Sequence, residues 1–274
     1  MKIEIQHVTR YRYATAASYS VQSLRLTPAT FDGHKVLDWN TVVEPSGQLI
    51  VARDGFGNVI HLSAVTKAHS EIVVRTGGSV EVENRGGVVT GLFEPVPPRV
   101  YLRQTRLTEP DDAIRRVAAE GAGLETIPRL HAMMTSIRDR VDYRIGESHA
   151  ETTAAEAIAK GVGVCQDHAH VFIAAARCAG IPARYVTGYI VVDGSGPAEA
   201  HHAWAEAWVE GLGWVGFDVA NRICPTDDHV RLAAALDAYY AAPIRGSRRG
   251  GEAEQLEVAV DVRGSSVQQS QSQQ

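Results

Sequence analysis

The chain has few cysteines and no long apolar run. Its three cysteines are Cys165, Cys178 and Cys224. They are too few and odd in number for a disulfide framework, as is typical of proteins in a reducing compartment. No stretch approaches the ~20 apolar residues that span a bilayer, and the first residues lack the apolar core of a signal peptide. We therefore expect a cytoplasmic protein without a membrane partner.

The chain also has no large excess of either acidic or basic residues. The sequence has 27 basic and 32 acidic residues among 274, a net charge of −5 at pH 7, and no long basic run. Nothing in this pattern favours nucleic acid as a partner, so small molecules, peptides or proteins are expected instead. With 45% hydrophobic residues, the chain is long enough for two domains.

The first part of the chain predicts an all-β domain over residues 1–95. Short alternating segments are separated by Gly, Pro, Asn or Asp. They cover residues 3–13, 23–26, 36–43, 49–52, 59–65 and 72–82. The proline-rich segment 94–98 is an extended connector, so the domain boundary is expected between Val82 and Val100.

After this connector the periodicity becomes helical. Helices are predicted over 108–120, with Thr108 as N-cap, from 128 to about 141, over 154–160 behind a Thr153/Glu156 capping box, and over 165–179. Strands over 184–192, 202–209 and 214–219 follow, with turn-rich joints that include 193–197. Residues 229–240 are predicted as a helix. Together these elements predict an α+β core over 96–246, with helices packed on an antiparallel sheet.

The remaining residues, 247–274, contain one alternating strand over 254–262 that can return to the first domain. The Ser/Gln-rich tail over 264–274 has no apolar periodicity and is predicted to be disordered.

Cys165 is the first candidate functional residue, because it lies where a glycine-broken segment meets an apolar helix. Gly161 and Gly163 leave room around the sulfur, and a helix N-terminus favours thiolate and supplies N–H groups to an oxyanion. A buried structural thiol is an equally good interpretation of this segment alone.

His202 and Asp218 are candidates for a base and its orienting carboxylate. On an alternating strand His202 shares a face with Trp204 and Glu206, and an odd hairpin loop brings Asp218 to that face. Such a carboxylate fixes the imidazole tautomer and leaves the other nitrogen free for a thiol. The alternative is a polar cross-strand pair. His201 faces the opposite side and is the second candidate for the base.

A metal site is the competing interpretation of the same segments, but no tight pair of Cys or His ligands typical of structural zinc occurs. We therefore expect no metal and no cofactor. The residues considered for it are Cys165, His168, His170, His201, His202 and Cys224. The tryptophans of the hairpin, Trp204, Trp208 and Trp214, suit core packing, and one of them can instead wall a cleft.

Several motifs together resemble the transglutaminase-like superfamily. They are Gly-Val-Cys165-Gln-Asp167-His-Ala-His170, Gly180-Ile-Pro-Ala-Arg184-Tyr-Val-Thr-Gly188-Tyr, His202-Ala-Trp204, Gly213-Trp-Val-Gly-Phe-Asp218, His7-Val-Thr-Arg-Tyr-Arg-Tyr13 and Asp228-His-Val-Arg231. The last two are similar to the bacterial subgroup with a β-rich N-terminal region, whose members are labelled cysteine proteases. The resemblance implies a papain-like core in which Cys165, His202 and Asp218 form the catalytic triad.

Three segments depart from the subgroup pattern: His168, Val219 and the run 235–238. They bear on pocket shape and substrate. The resemblance implies a thiol enzyme that acts on peptide or carboxamide bonds of a peptide or protein substrate through a thioester. The backbone N–H of Cys165 is expected to bind the oxyanion, with Gln166 and Trp204 as further oxyanion or pocket candidates. Hydrolysis is favoured slightly over glutamine acyl transfer, a non-catalytic scaffold is the third interpretation, and the oligomeric state is open.

Overall fold

The computed structural model describes residues 1–45, 47–191 and 201–265. The predicted turn over 193–197 and residues 266–274 of the predicted tail lie outside these residues. Within the described residues the strands are β1 (Lys2–Leu24), β2 (His34–Glu44), β3 (Gln48–Arg53), β4 (Val59–Val65), β5 (His69–Val82), β6 (Val88–Val89), β7 (Asp142–Tyr143), β8 (Val162–Gly163), β9 (Ala183–Ile190), β10 (His201–Val209), β11 (Gly213–Phe217), β12 (His229–Ala235), β13 (Ile244–Gly250) and β14 (Glu254–Ser265). The α-helices are α1 (Asp112–Ala118), α2 (Thr126–Arg140), α3 (Ala154–Lys160), α4 (Cys165–Cys178) and α5 (Ala238–Ala241).

The first sheet has the order β2-β5-β1-β4-β3, and β13 and β14 also pair with β1. The predicted strands over 3–13 and 23–26 are parts of the single long strand β1, because buried side chains continue through Ala17, Ser20 and Gln22. The last strand returns to this sheet: Lys2 lies opposite Ser265, and Tyr13 lies opposite Glu254. The prediction of disorder from 264 onwards is therefore wrong for the two residues that end β14.

The second sheet has the order β12-β9-β10-β11-β6 and is antiparallel throughout. The first of its strands along the chain is β6, which follows shortly after β5. On one face Ala203, Ala205 and Ala207 pack in the core that α4 shares with α1, α2 and α3. The α+β class predicted for this part of the chain is confirmed. None of the helices in the described residues has the length and apolar character needed to cross a membrane.

The first helix of the core begins three residues later than predicted. Asp111, not Thr108, is its N-cap, since its side chain accepts a 2.9 Å hydrogen bond from the Ile114 N–H. Thr108 ends a short 3₁₀ turn and is buried, where it accepts a hydrogen bond from Arg177. The Thr153/Glu156 capping box of α3 is confirmed, and Gly161 ends that helix with a φ of 72°.

The helix predicted over 229–240 is wrong for most of its length. Residues 229–235 form β12, every residue of which is buried, and only Ala238–Ala241 are helical. The alanine-rich run has high helix propensity, but a strand covered on both faces also appears as an unbroken apolar run. Val230 and Leu232 pack in the core of the first sheet, whereas Ala235 packs in the helical core.

Candidate active site

The N-terminus of α4 presents Cys165 as the first helical residue, with Val164 extended before it. The Asp167 carboxylate holds this turn, since one of its oxygens accepts the Val164 N–H at 2.8 Å and the Ser148 hydroxyl at 2.5 Å. A Cβ on Gly163 would lie 2.7 Å from the Asp167 Cβ, so the glycine is needed for this packing. The N–H of Cys165 has no acceptor within its helix, as is general for a first turn, and can bind an anionic oxygen.

His202 and Asp218 meet across the β10–β11 hairpin. Val209 pairs with Gly213 and Ala205 with Phe217, so three residues form the loop and Asp218 lies one diagonal step from His202. The Nε2 of His202 is 2.7 Å from Oδ2 of Asp218. This bond leaves Nδ1 as the free ring nitrogen, and the Cys165 thiol is near enough to the imidazole to raise its pKa. The structure thus brings all three residues together in the predicted order.

The electrostatics of this trio favour a protonated imidazole beside a charged carboxylate. Burial lowers the pKa of His202, but hydrogen bonds and charge from Asp218 and Cys165 raise it to about 10. Burial also raises the pKa of Asp218, yet the hydrogen bonds from His202 and His229 hold it well below its ordinary value. The Asp218 side chain is completely buried, so its contacts are little screened by solvent.

A second histidine contacts the same carboxylate and was not predicted. His229 Nε2 lies 3.1 Å from Asp218 Oδ2, and its Nδ1 accepts the backbone N–H of Thr226 at 3.2 Å. Because a backbone N–H can only donate, Nδ1 is unprotonated, and a neutral His229 donates from Nε2. Asn221 Nδ2 donates at 2.7 Å to the same oxygen. Sequence analysis noted the Asp228-His-Val-Arg231 segment but placed His229 in a helix.

His202, Asp218 and His229 place three ligand atoms within 4.8 Å of one another, which raises the possibility of a metal site. The Thr226 N–H argues against it: to ligate through Nε2, a neutral His229 would carry its proton on Nδ1, which faces a donor. Two of the histidines considered as metal ligands from the sequence already make hydrogen bonds within the protein. His168 contacts the carbonyls of Val164 and Val141. His170 Nε2 accepts the Ala238 N–H.

A groove of about 830 Å³ opens in front of Cys165. Gln166 lies at its rim, where its amide is 3.4 Å from the Ala150 carbonyl. His201 lines the groove on the opposite side of β10 from His202, and bonds Thr187 Oγ1 at 3.2 Å. Burial and the neighbouring His202 lower the pKa of His201 to about 4, so His201 is neutral at physiological pH.

The tryptophans of the hairpin do not line this groove. Trp204 is buried on the other face of the sheet, with its ring edge-on to His229 at 5.5 Å and tilted against His202 at 6.1 Å. Trp208 and Trp214 pack edge-to-face at 5.5 Å. In this arrangement Trp204 supports the two histidines on Asp218 from behind and does not wall the space in front of the thiol.

Most residues of the segments that depart from the expected pattern are buried away from the groove. His168 is fully buried and its two carbonyl contacts tie the start of α4 to the end of α2. Val219 and Ala235 are buried in the helical core. Of these departures, only Ala238 lines the groove.

Comparison with family models gives two matches. The model described as "Transglutaminase-like superfamily" matches residues 115–219, a range that contains Cys165, His202 and Asp218. The model described as "Bacterial transglutaminase-like N-terminal region" matches residues 3–81.

Curated relatives and a solved structure match nearly the whole chain. An uncharacterized protein of Mycobacterium leprae is 27% identical over 95% of this chain and 98% of its own length. An uncharacterized protein of Mycobacterium tuberculosis is 24% identical over 95% and 92%, respectively. The crystal structure of a "Putative Cysteine Protease" from Cytophaga hutchinsonii covers 96% of this chain and 90% of its own, with a TM-score of 0.76 and 22% identity. This structural likeness extends over both sheets.

Proposed function

Since this chain belongs to the transglutaminase-like superfamily, we propose that it is a thiol enzyme that hydrolyses peptide or carboxamide bonds. The proposal is carried by one observation: the buried Asp218 carboxylate holds the His202 imidazole, with Nε2 and Oδ2 2.7 Å apart. The nearby Cys165 thiol helps to raise the pKa of this imidazole. A structural cysteine in a core has no need of a base that is oriented by a buried carboxylate.

Since the raised pKa of His202 keeps the imidazole protonated, the thiol proton already lies on Nδ1, and in the first half-reaction the Cys165 thiolate attacks the substrate carbonyl carbon. The oxygen becomes an anion, which the N–H of Cys165 stabilises at the positive end of α4. Collapse of this intermediate breaks the C–N bond, and His202 returns the proton to the leaving amine. The acyl group remains on Cys165 as a thioester.

In the second half-reaction His202 takes a proton from water while the water oxygen attacks the thioester carbon. The C–S bond then breaks, the acyl group leaves as a carboxylic acid, and the thiolate is restored beside protonated His202. Asp218 keeps its charge throughout and holds the imidazole in the tautomer that exposes Nδ1. His229 and Asn221 hold Asp218 in place by their hydrogen bonds to it.

The position of the tryptophans favours water over an amine as the acceptor. Efficient transfer to an amine requires a second subsite that is shielded from solvent. The aromatic rings suggested for that wall by the sequence, those of Trp204, Trp208 and Trp214, are absent from the described lining of the groove. We therefore retain glutamine acyl transfer as the alternative and hydrolysis as the proposal.

Partitioning of the acyl-enzyme distinguishes these two reactions. Peptides with and without glutamine are incubated with the enzyme while a primary amine is added at rising concentration. Hydrolysis that is indifferent to amine is the expected result. Amine-dependent product that saturates while hydrolysis falls in proportion would assign the enzyme as a transferase. Absence of any turnover or thioester would favour a scaffold on the same fold.

A further inference from the structure

The strand β14 has one free edge. It pairs with β1 along its whole length, from Glu254 opposite Tyr13 to Ser265 opposite Lys2. No other strand in the described residues pairs with β14. A free edge presents backbone N–H and C=O groups that can pair with another extended chain.

This edge lies in the same groove as the nucleophile. Val258, Ala259 and Val260 all line the groove that contains Cys165. Successive side chains of a strand point to opposite faces, so a groove that met only one face would contact every second residue. The groove meets three consecutive residues, of which Val258 and Ala259 are exposed and Val260 is half-buried, so this part of β14 is open to the groove.

The walls of the groove are apolar and mostly small. Ala203, Ala238 and Ala241 are among the lining residues, and Glu151 is the one acidic or basic lining residue described besides the neutral His201. The Glu151 carboxylate is already paired with Arg106. An apolar groove with so few charges accepts an extended main chain with uncharged side chains better than a charged ligand.

We propose that the free edge of β14 binds the substrate as an added antiparallel or parallel strand. The substrate is an extended, uncharged peptide whose main chain pairs with Val258, Ala259 and Val260 over about 10 Å, at ~3.3 Å per residue, and whose scissile carbonyl then reaches Cys165. This inference rests on the proposed function for the fate of the peptide. Its binding step is testable apart from catalysis.

The test uses the full chain carrying Cys165→Ala, which cannot turn over substrate. The probes are an uncharged hexapeptide of alternating valine and alanine with one central glutamine, and the same peptide with alternate backbone nitrogens methylated in either register. Binding is measured by calorimetry, and protection of backbone amides by hydrogen–deuterium exchange. We expect the hexapeptide to slow exchange over 258–260, and methylation in one register to weaken binding about fivefold for each hydrogen bond lost.

Proline variants provide the matched control. Adjacent residues of an edge strand direct their N–H groups to opposite sides, so one of Val258→Pro and Ala259→Pro removes a free donor while the other interrupts pairing with β1. The variant that removes the free donor is expected to weaken hexapeptide binding while the melting temperature of the protein stays nearly unchanged. The variant that interrupts pairing with β1 is expected to lower the melting temperature. Val51→Pro on the edge strand β3, outside the groove, leaves binding unchanged.

The outcomes separate this inference from the proposed function. Binding that is insensitive to methylation and gives no protection over 258–260, or no binding at all, overturns the β14 site. If the wild-type enzyme still forms a thioester with a short acyl amide, the proposed function stands in either case. Protection over 258–260 without any thioester on wild-type Cys165 would retain the site and reject the chemistry.

Discussion

Asp218 Oδ2 accepts a 2.7 Å hydrogen bond from His202 Nε2, although His202 lies on β10 and Asp218 directly follows β11, one diagonal step away. This contact determines which ring nitrogen faces Cys165. It also places a charged carboxylate, itself completely buried, beside an imidazole whose pKa is raised to about 10.

The first prediction concerns this pKa. Asp218→Asn removes the negative charge while keeping a similar shape, so the pKa of His202 should fall from about 10 towards its ordinary 6.5. Titration of the imidazole ring protons by NMR measures the change. A pKa that stays near 10 in the variant would mean that Asp218 does not hold the proton on His202.

The same pair predicts how stability depends on pH. A raised pKa of His202 stabilises the fold fully below pH 6.5, and the effect disappears as pH rises through about 10. The lowered pKa of Asp218 stabilises the fold above its ordinary pKa of 3.8. The difference in unfolding free energy between wild type and Asp218→Asn, measured with urea, should therefore be largest between about pH 4 and 6.5 and shrink towards pH 10.

Turnover should depend on the triad as a unit. Cys165→Ala or His202→Ala should abolish nearly all activity, Asp218→Ala should lower kcat by roughly 10³-fold or more, and double variants should be little worse. His201→Ala should be mild, since its ring lies on the other side of β10. Loss of activity in His201→Ala with tolerance of His202→Ala would reverse the roles of the two histidines.

His229 should act through Asp218. His229→Phe removes a donor from a buried carboxylate and should lower the free energy of unfolding by about 2 kcal/mol. With fewer donors Asp218 holds the His202 proton more tightly, so the pKa of His202 should rise. His229→Gln keeps a donor and should restore both properties in part; a pKa that is the same in all three proteins would limit His229 to packing.

Thiol reactivity separates chemistry from accessibility. Cys178 is the exposed cysteine, whereas Cys165 and Cys224 are partly buried, so accessibility alone predicts that iodoacetamide modifies Cys178 first. Burial raises the pKa of both Cys178 and Cys224. At neutral pH we expect Cys165 to react about tenfold faster or more, and to lose this advantage in His202→Ala. Mass spectrometry of tryptic peptides gives the three rates.

Local signals predicted the elements that hold Cys165, His202 and Asp218. The glycine-broken approach to Cys165 and the alternation of the β10–β11 hairpin are periodic or steric features, which depend on near neighbours. An odd hairpin loop was expected to bring Asp218 to the face of His202, and the observed three-residue loop makes the separation one diagonal step.

Features that depend on distant parts of the chain were not predictable in the same way. The sequence predicts a helix over 229–240, whereas pairing with β9 and burial on both faces make residues 229–235 a strand. A helix over this segment gives no reason to expect the hydrogen bond between His229 and Asp218. The contribution of β14 to the groove depends on its pairing with β1, about 250 residues earlier in the chain.

The central claim is that Cys165 forms a thioester with a peptide or carboxamide substrate, and intact-protein mass spectrometry after rapid acid quench tests it most directly. We predict an adduct with the mass of the acyl group on Cys165 of the wild-type protein, released by hydroxylamine and absent from Cys165→Ala and His202→Ala. An unmodified Cys165 across the peptide panel, or an adduct that forms equally well in His202→Ala, would contradict the account.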